Sequence, residues 1–269
     1  MRAIEMKSFG GNDRFRRAFT LIEILVVIAV IGVLATLIFP VLSGSSEKAR
    51  ILKSKNNLSQ IAKAALTYGS VNGGRTLPHA IFDLEINENR EWSFGYFQDG
   101  SNPFRNGLLG PYLGSDGSVL VCPLFDPDPE VQAQLAKFGK PGNLGYGHNG
   151  LNLSRLIPAK SAPGGQGGHY VGIPYSRIRN PARTVMFATS AMDFGGKAAP
   201  QDMIWGPDHL GGVPCVRLVN QNQAIVAWAD GSVELVNAIP KGEPLADGTQ
   251  LGYLDPDGDG VPDLNIWKP

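Results

Sequence analysis

A long apolar run near the amino terminus constrains this chain more than any other feature. Residues 19–39 (FTLIEILVVIAVIGVLATLIF) number 21 and carry a single charge, on Glu23. In a helix they extend over about 30 Å, the thickness of a bilayer core. A cleaved secretory signal has a shorter run of about 7–15 apolar residues before a small-residue cleavage site. The run therefore predicts a membrane span.

The residues before this span indicate its orientation. Residues 1–18 contain five basic side chains against two acidic ones: Arg2, Lys7, Arg14, Arg16 and Arg17 against Glu5 and Asp13. Because Lys and Arg next to a span tend to stay in the cytoplasm, we expect a cytoplasmic amino terminus. The rest of the chain after Phe39 is then extracytoplasmic.

Glu23 is the one ionisable residue of the predicted span. A charge inside a bilayer is costly unless it is paired, which favours a functional role with a partner. Glu23 is only four residues from Phe19, however, so its side chain is also close enough to the end of the span to reach the membrane interface. Its position alone leaves both interpretations open.

The segment Arg16 to Ile28 (RRAFTLIEILVVI) resembles the processing site of type IV prepilins and type II secretion pseudopilins. In that family a prepilin peptidase removes a short basic leader on the cytoplasmic side, and the new amino terminus is N-methylated. The resemblance implies cleavage between Ala18 and Phe19 and methylation of Phe19. The residue before the cut is usually Gly in the family, and here it is Ala18.

The same resemblance implies an assembly role for Glu23, which would meet the amino-terminal charge of a neighbouring subunit. Physical chemistry agrees, since a buried carboxylate needs a cation and the neighbour's α-ammonium is the nearest one in a stack of identical helices. Methylation preserves that charge. The implied protein is a structural subunit of a type II secretion or type IV pilus-like fibre. Its implied partners are prepilin peptidase, other pseudopilin subunits, the assembly platform and the membrane.

This resemblance also implies a location. The chain would be a single-pass protein of the bacterial inner membrane, with the head extracytoplasmic. It would then become part of an assembled fibre in the periplasm or at the cell surface.

The helix is expected to weaken after the span and then continue with one apolar face. Pro40 removes a helix hydrogen bond and predicts a kink or break, and Ser43 to Ser46 (SGSS) weaken the helix further. From Glu47 onward the apolar residues recur with a helical period, which predicts an amphipathic helix packed on a globular head. The members of this stripe are Ile51, Leu58, Ile61, Ala65 and Tyr68.

Beyond Gly69, short apolar runs broken by Gly and Pro predict strands and long loops. An Asp230-Gly231 pair between two such runs is a strong hairpin signal. The expected meander contains Val213–Val219, Ala224–Ala229 and Ser232–Val236, with Arg183–Thr189 as a fourth strand. The predicted class is α+β: a long N-terminal helix, half transmembrane and half amphipathic, packed on an antiparallel sheet. This arrangement is similar to the pilin fold.

Four phrases of the head resemble pilin-like proteins of Planctomycetes and Verrucomicrobia. They are Val121 to Pro123, Gly145 to Asn149, Asn180 to Val185, and Trp228 to Val233. The predicted organisation is a leader peptide, an assembly helix, an amphipathic continuation, a head and an acidic tail, over residues 1–18, 19–42, 43–69, 70–246 and 247–269.

The two cysteines, Cys122 and Cys215, both follow the predicted span, where disulfides form readily. A bond between them would close a loop of about 90 residues and stabilise the head by about 4 kcal/mol in the chain-entropy model. Two unpaired buried thiols are the alternative, and the sequence leaves both open.

The tail DPDGDGVPD, residues 255–263, predicts a calcium site. Calcium prefers six to eight hard oxygen ligands, and glycine-bearing turns let several carboxylates converge. The candidate ligands are Asp255, Asp257, Asp259 and Asp263, but the twelfth position of an EF-hand is occupied by Ile266 instead of Glu. The pattern resembles the shorter calcium loops of extracellular repeats and the C-terminal loop of some major pseudopilins. A solvated acidic turn is the alternative.

Catalysis and nucleic-acid binding are not expected. His79, His148, His169 and His209 are widely separated, and no HExxH, GxSxG or phosphate-loop pattern is present. The 24 basic and 24 acidic residues balance, which argues against a phosphate-binding surface. Two function classes remain: a fibre subunit, or a membrane-anchored binding protein that uses the prepilin route and holds a ligand such as polysaccharide in its head.

Overall fold

The computed structural model describes residues 20–82, 90–92, 107–113, 118–136, 144–158, 168–208 and 212–269. Within the first helix, only the backbone is described for residues 35–45. The predicted leader, the cleavage pair Ala18 and Phe19, and His209 therefore lie outside the described residues. The chain divides into two compact units, Met1–Lys48 and Ala49–Pro269.

The first element is a helix, α1 (Leu21–Val71), of 51 residues. It continues through Pro40 and the weak SGSS segment, so the expected break is not observed. Proline removes one backbone donor, but its fixed φ of about −65° is compatible with a helix. A helix therefore tolerates this single loss when the turns on both sides are formed.

In the N-terminal unit, every described side chain from Thr20 to Leu34 is exposed. Most of them are large and apolar, with exposed fractions between 50% and 86% at positions such as Val27 and Leu21. Across the described residues, no helix combines enough length with enough apolar character to cross a membrane. The predicted span, residues 19–39, extends beyond the described side chains at both ends.

The second half of α1 packs into the core of the other unit. Leu58, Ile61 and Ala65 are fully buried, Ile51 is 9% exposed, and Tyr68 packs against the same cluster. The predicted amphipathic stripe is therefore confirmed. Burial of each large apolar side chain contributes about 1.5–3 kcal/mol, which is enough to fix the face that the helix presents.

The head is built mainly from short strands. A second helix, α2 (Pro129–Ala136), lies between the second and third strands. The strands are β1 (Ala80–Phe82), β2 (Arg90–Trp92), β3 (Tyr146–His148), β4 (Ser154–Pro158), β5 (Gly168–Gly172), β6 (Val185–Thr189), β7 (Met192–Phe194), β8 (Lys197–Ala199), β9 (Val216–Arg217), β10 (Gln223–Trp228), β11 (Val233–Pro240) and β12 (Leu251–Leu254).

Six of these strands form the main sheet, in the order β3-β6-β10-β11-β12-β9 with antiparallel neighbours. The predicted β10–β11 hairpin and its fourth strand, β6, are confirmed. Gly231 in the turn has a φ of +90°, and a Cβ there would lie 2.8 Å from Leu66 Cδ1. The positive φ of the turn therefore favours glycine, and a Cβ there would also displace the end of the Leu66 side chain.

The predicted meander is confirmed only in part for its first strand, Val213–Val219, which meets β10 at a single pair of residues. Residues 216–217 form their ladder with β12, whereas Val219 forms an isolated bridge to Gln223 of β10. The predicted C-terminal tail contains β12, so residues 251–254 are part of the head's sheet. Asn220, Gln221 and Asn222 all adopt positive φ and form the turn that joins Val219 to Gln223.

The two faces of the sheet contact different clusters, because alternate residues of a strand point to opposite sides. Ile225 and Ala227 of β10 belong to the cluster that contains the second half of α1. Val226 and Trp228 belong to a cluster closed by Trp267 near the C-terminus. The architecture is α+β, with a helix on one face of an antiparallel sheet.

Candidate functional site

Helix α1 begins with a reciprocal cap between Thr20 and Glu23. The Thr20 backbone N–H and its hydroxyl each donate to Glu23 Oε2 at 2.8 Å. The Glu23 N–H donates back to Thr20 Oγ1 at 3.3 Å. This is a capping box, in which a Thr and a Glu three residues later satisfy the unpaired donors of the first turn. Sequence reasoning missed it, although the pattern TLIE carries the signal.

The cap orients the carboxylate of Glu23 and leaves part of it available. Both hydrogen bonds from Thr20 end on Oε2, and none of the described residues donates to Oε1. An ionised carboxylate accepts on both oxygens. The exposed carboxylate at the start of an exposed apolar helix can therefore still accept from an outside cation. The predicted cleavage pair, Ala18 and Phe19, lies outside the described residues.

The acidic turn after β12 is organised around Asp255. This residue is 5% exposed, and its two carboxylate oxygens accept hydrogen bonds at 3.1 Å from the backbone N–H groups of Gly258 and Gly260. Both glycines have positive φ, 74° and 83°. The chain therefore curls around one carboxylate, as the two glycines of the sequence pattern suggest.

Three of the four predicted ligands converge. Single carboxylate oxygens of Asp255, Asp257 and Asp263 all lie within 4.8 Å of one another. Partial burial, followed by the charges of Asp257, Asp255 and Asp259, raises the pKa of Asp263. Asp259 is not in this group, and its Oδ1 accepts a hydrogen bond from the Val261 N–H at 2.7 Å. The three carboxylates provide the hard oxygen ligands that calcium prefers.

The two cysteines are free, buried thiols. Cys122 lies in the α1 cluster with its Sγ 3.5 Å from Ser54 Oγ, whereas Cys215 lies in the Trp267 cluster and accepts from the Trp205 N–H at 3.2 Å. A disulfide needs Cβ atoms about 4 Å apart, which opposite faces of a sheet do not provide. The disulfide alternative is therefore not formed in this structure.

Two histidines that are far apart in sequence approach each other in the head. A Cβ on Gly150 would lie 2.7 Å from His79 Cβ and 2.8 Å from His148 Nδ1. Burial, followed by the neighbouring charge of His79, lowers the pKa of His148 to about 3. Sequence reasoning missed this pair because no local spacing signals it. In the described part of the chain, three or more metal-ligating side chains converge only at the aspartate trio.

Comparison with known proteins gives two findings. Residues 13–39 match the prokaryotic N-terminal methylation motif. The chain is also 39% identical over 67 residues to the type II secretion system core protein G of Pectobacterium carotovorum subsp. carotovorum. This alignment covers 25% of this chain and 43% of that protein. The proteins of the same name from Escherichia coli K12 and Dickeya chrysanthemi are 45% and 48% identical over 53 and 46 residues.

These similarities are partial in length. The aligned segments cover 20% and 17% of this chain and 37% and 30% of the Escherichia and Dickeya proteins. The chain thus spans less than half the length of the curated relatives it matches. No solved structure matches the chain. The chain therefore carries a prepilin methylation motif and is similar to type II secretion pseudopilins over that limited length.

Proposed function

We propose that this chain is a pseudopilin-like structural subunit that assembles through its N-terminal helix into a type II secretion fibre. The observation that carries the proposal is the methylation motif at residues 13–39, which overlaps the start of α1. Prepilin peptidase cleaves between Ala18 and Phe19 and leaves a methylated amino terminus on Phe19. The apolar residues that follow hold the subunit in the inner membrane before assembly.

Glu23 directs the assembly step in this proposal. Its carboxylate is held by Thr20 through one oxygen, so the side chain is already oriented when a second subunit arrives. The α-ammonium of the neighbouring Phe19 then binds the other oxygen. A charge-assisted hydrogen bond of this kind is strong where water is excluded, as it is between apolar helices. The pairing sets the axial position of one helix against the next.

The test separates processing from assembly. In cells that express the full chain, Glu23→Gln keeps a polar acceptor but removes the charge, and Glu23→Ala removes both. We expect mass spectrometry to find the leader removed in both variants, while crosslinking recovers no subunit ladders. Glu47→Gln, an exposed glutamate on the same helix, is the matched control and should assemble normally. Normal ladders from Glu23→Gln would refute the pairing.

We further propose that the acidic turn binds Ca²⁺. The support is the donor set: three carboxylates converge, one of them buried, and partial burial, followed by the charges of Asp257, Asp255 and Asp259, raises the pKa of Asp263. A divalent cation would relieve that repulsion, with Asp255, Asp257 and Asp263 as ligands. Binding would order the segment that follows β12 and so stabilise one edge of the sheet.

Thermal unfolding of the full chain in mild detergent tests the calcium proposal. Millimolar Ca²⁺ should raise the Tm of the wild type by several degrees, because a ligand that binds only the folded state stabilises it. Asp257→Asn should abolish the increase, whereas Asp259→Asn, outside the trio, should retain most of it. The increase should shrink as the pH falls, because burial and the neighbouring charges raise the pKa of Asp263 and a protonated carboxyl binds calcium poorly. An unchanged Tm for the wild type at neutral pH would refute the site.

A further inference from the structure

The head contains a cavity that the assembly proposal does not use. It lies where α1 ends, between the connection that follows the helix and strand β5, and has a volume of about 400 Å³. Ligand sites have volumes of about 300–1,000 Å³, so this one is large enough for a small molecule or one unit of a polymer. The lining residues that matter here are Tyr68, Asn72, Arg75, Thr76, Tyr170 and Gly172.

The backbone around the cavity is held by hydrogen bonds from both sides. The Gly74 N–H donates to Gly69 O at 2.9 Å and closes the end of α1. The Tyr175 N–H donates to Gly74 O at 2.9 Å, and the Thr76 N–H donates to Ile173 O at 2.8 Å. These bonds connect the helix end to the segment after β5. The cavity is therefore preformed, which lowers the entropic cost of binding.

Two aromatic rings line the cavity, and each is held by a neighbour. Tyr68 meets Tyr112 edge to face, with ring centroids 6.1 Å apart. Tyr170 meets His79 in the same way at 5.6 Å. Such edge-to-face pairs are a preferred aromatic arrangement, so each neighbour holds its tyrosine ring in place. The two tyrosines come from distant parts of the sequence and provide rigid apolar surface with polar edges.

The charge of the lining is one-sided. Arg75 donates from Nη1 to Gly172 O at 2.9 Å, which holds its guanidinium beside β5. None of the described Asp or Glu residues forms an ion pair with it, and the lining contains no acidic residue. A guanidinium has five donors, so further ones remain for a ligand. The cavity thus favours an anion.

We infer that this cavity binds an acidic sugar unit, a hexuronate of an anionic polysaccharide. The carboxylate of the sugar accepts hydrogen bonds from Arg75, its apolar ring face packs on the tyrosines, and its hydroxyls bond to the amide of Asn72. A sugar uses all three surfaces, whereas an acidic peptide uses mainly the cation. The inference concerns the head alone and does not depend on fibre assembly.

Isothermal titration calorimetry of the full chain in mild detergent tests the inference, with trigalacturonate as the probe. We expect saturable binding that weakens several-fold as NaCl rises from about 50 to 500 mM, because salt screens the contact with Arg75. A neutral galactose trisaccharide should bind at least about tenfold more weakly, since it lacks the charge-assisted bond. Triglutamate should also bind more weakly.

Variants locate the binding to the cavity. Arg75→Gln and Tyr170→Ala should each reduce the affinity for trigalacturonate at least about tenfold. Lys241→Gln, an exposed cation elsewhere on the head, is the control and should bind as the wild type does. The inference is overturned if the wild type does not bind at millimolar trigalacturonate, if the neutral sugar or triglutamate binds equally well, or if a folded Arg75→Gln binds unchanged.

Discussion

The two halves of α1 are both rich in aliphatic residues, yet their surroundings differ. From residue 21 to 34 every side chain is exposed, whereas residues 51–68 present a buried stripe to the sheet. The sequence pattern explains the difference. In the first half, apolar side chains project from every side of the helix, so no single face is suited to packing on one sheet. The second half is apolar along one stripe only.

The comparison teaches that periodicity, more than apolarity, determines what covers a helix. A stripe is covered by the chain's own core. A helix that is apolar all round needs partners on every side, which in the proposed function are lipid and other subunits. Breaking one apolar contact in each half should therefore have different consequences.

The largest expected effect distinguishes the two halves directly. Leu58→Ala removes a fully buried side chain and should lower the free energy of unfolding of the head by about 2–5 kcal/mol. Leu25→Ala, at 56% exposure on the same helix, should change it by less than about 0.5 kcal/mol. Denaturant unfolding of the two variants measures both values. Equal losses would contradict the distinction.

A change of pH should act on the head through the buried His148. Its pKa in the folded state is about 3, below the ordinary value of 6.5, so the unfolded state takes up the proton first. The stabilisation is complete above pH 6.5 and is lost as the pH falls toward 3. Between pH 7 and 5 the loss is about 2 kcal/mol.

Denaturant unfolding at the two pH values measures this loss. His148→Gln should reduce the pH dependence of the free energy of unfolding. His79 contributes in the same direction, because burial lowers its pKa against the opposing charge of Asp202. A head equally stable at pH 7 and 5 would contradict the assignment.

The smallest effect concerns the first turn of α1. Thr20→Val removes the hydroxyl of the capping box and should destabilise that turn by about 1 kcal/mol. Amide hydrogen exchange should then accelerate about fivefold at the first helical residues. Thr67→Val, in the head half, removes a hydroxyl that bonds within the helix to Lys63 O and is the control for loss of a threonine hydroxyl. In Thr67→Val, amide hydrogen exchange at the first turn of α1 should equal that of the wild type.

The local parts of the fold follow from the sequence. The stripe from Ile51 to Tyr68 repeats within a few turns, and the Asp230-Gly231 hairpin joins adjacent strands, so both are predictable from short windows. The strand that pairs with β9 cannot be predicted from a short window, because β12 lies more than thirty residues further along the chain. Pairing at that separation depends on the closure of the whole sheet, which no local pattern encodes.

The candidate sites follow the same rule. The aspartate trio and Glu23 are contained in short motifs and were predicted, except that Asp259 bonds to the backbone instead of joining the trio. The cavity and the histidine pair combine residues from separate elements, such as Tyr68 with Tyr170. Only the packing of β5 against the end of α1 brings those side chains together.

The position of β12 has a consequence for the order of events during synthesis. Residues 216–217 are made before residues 251–254, with which they form their strand ladder, although bridges from Val216 to Ser190 and from Val219 to Gln223 join this segment to earlier parts of the sheet. Before residues 251–254 are made, the edges of β11 and β9 that pair with β12 have no strand between them. Trp267, fully buried beneath the same sheet, is made later still. A chain that stops short of these residues would lack both the strand between β11 and β9 and the tryptophan that closes the second cluster.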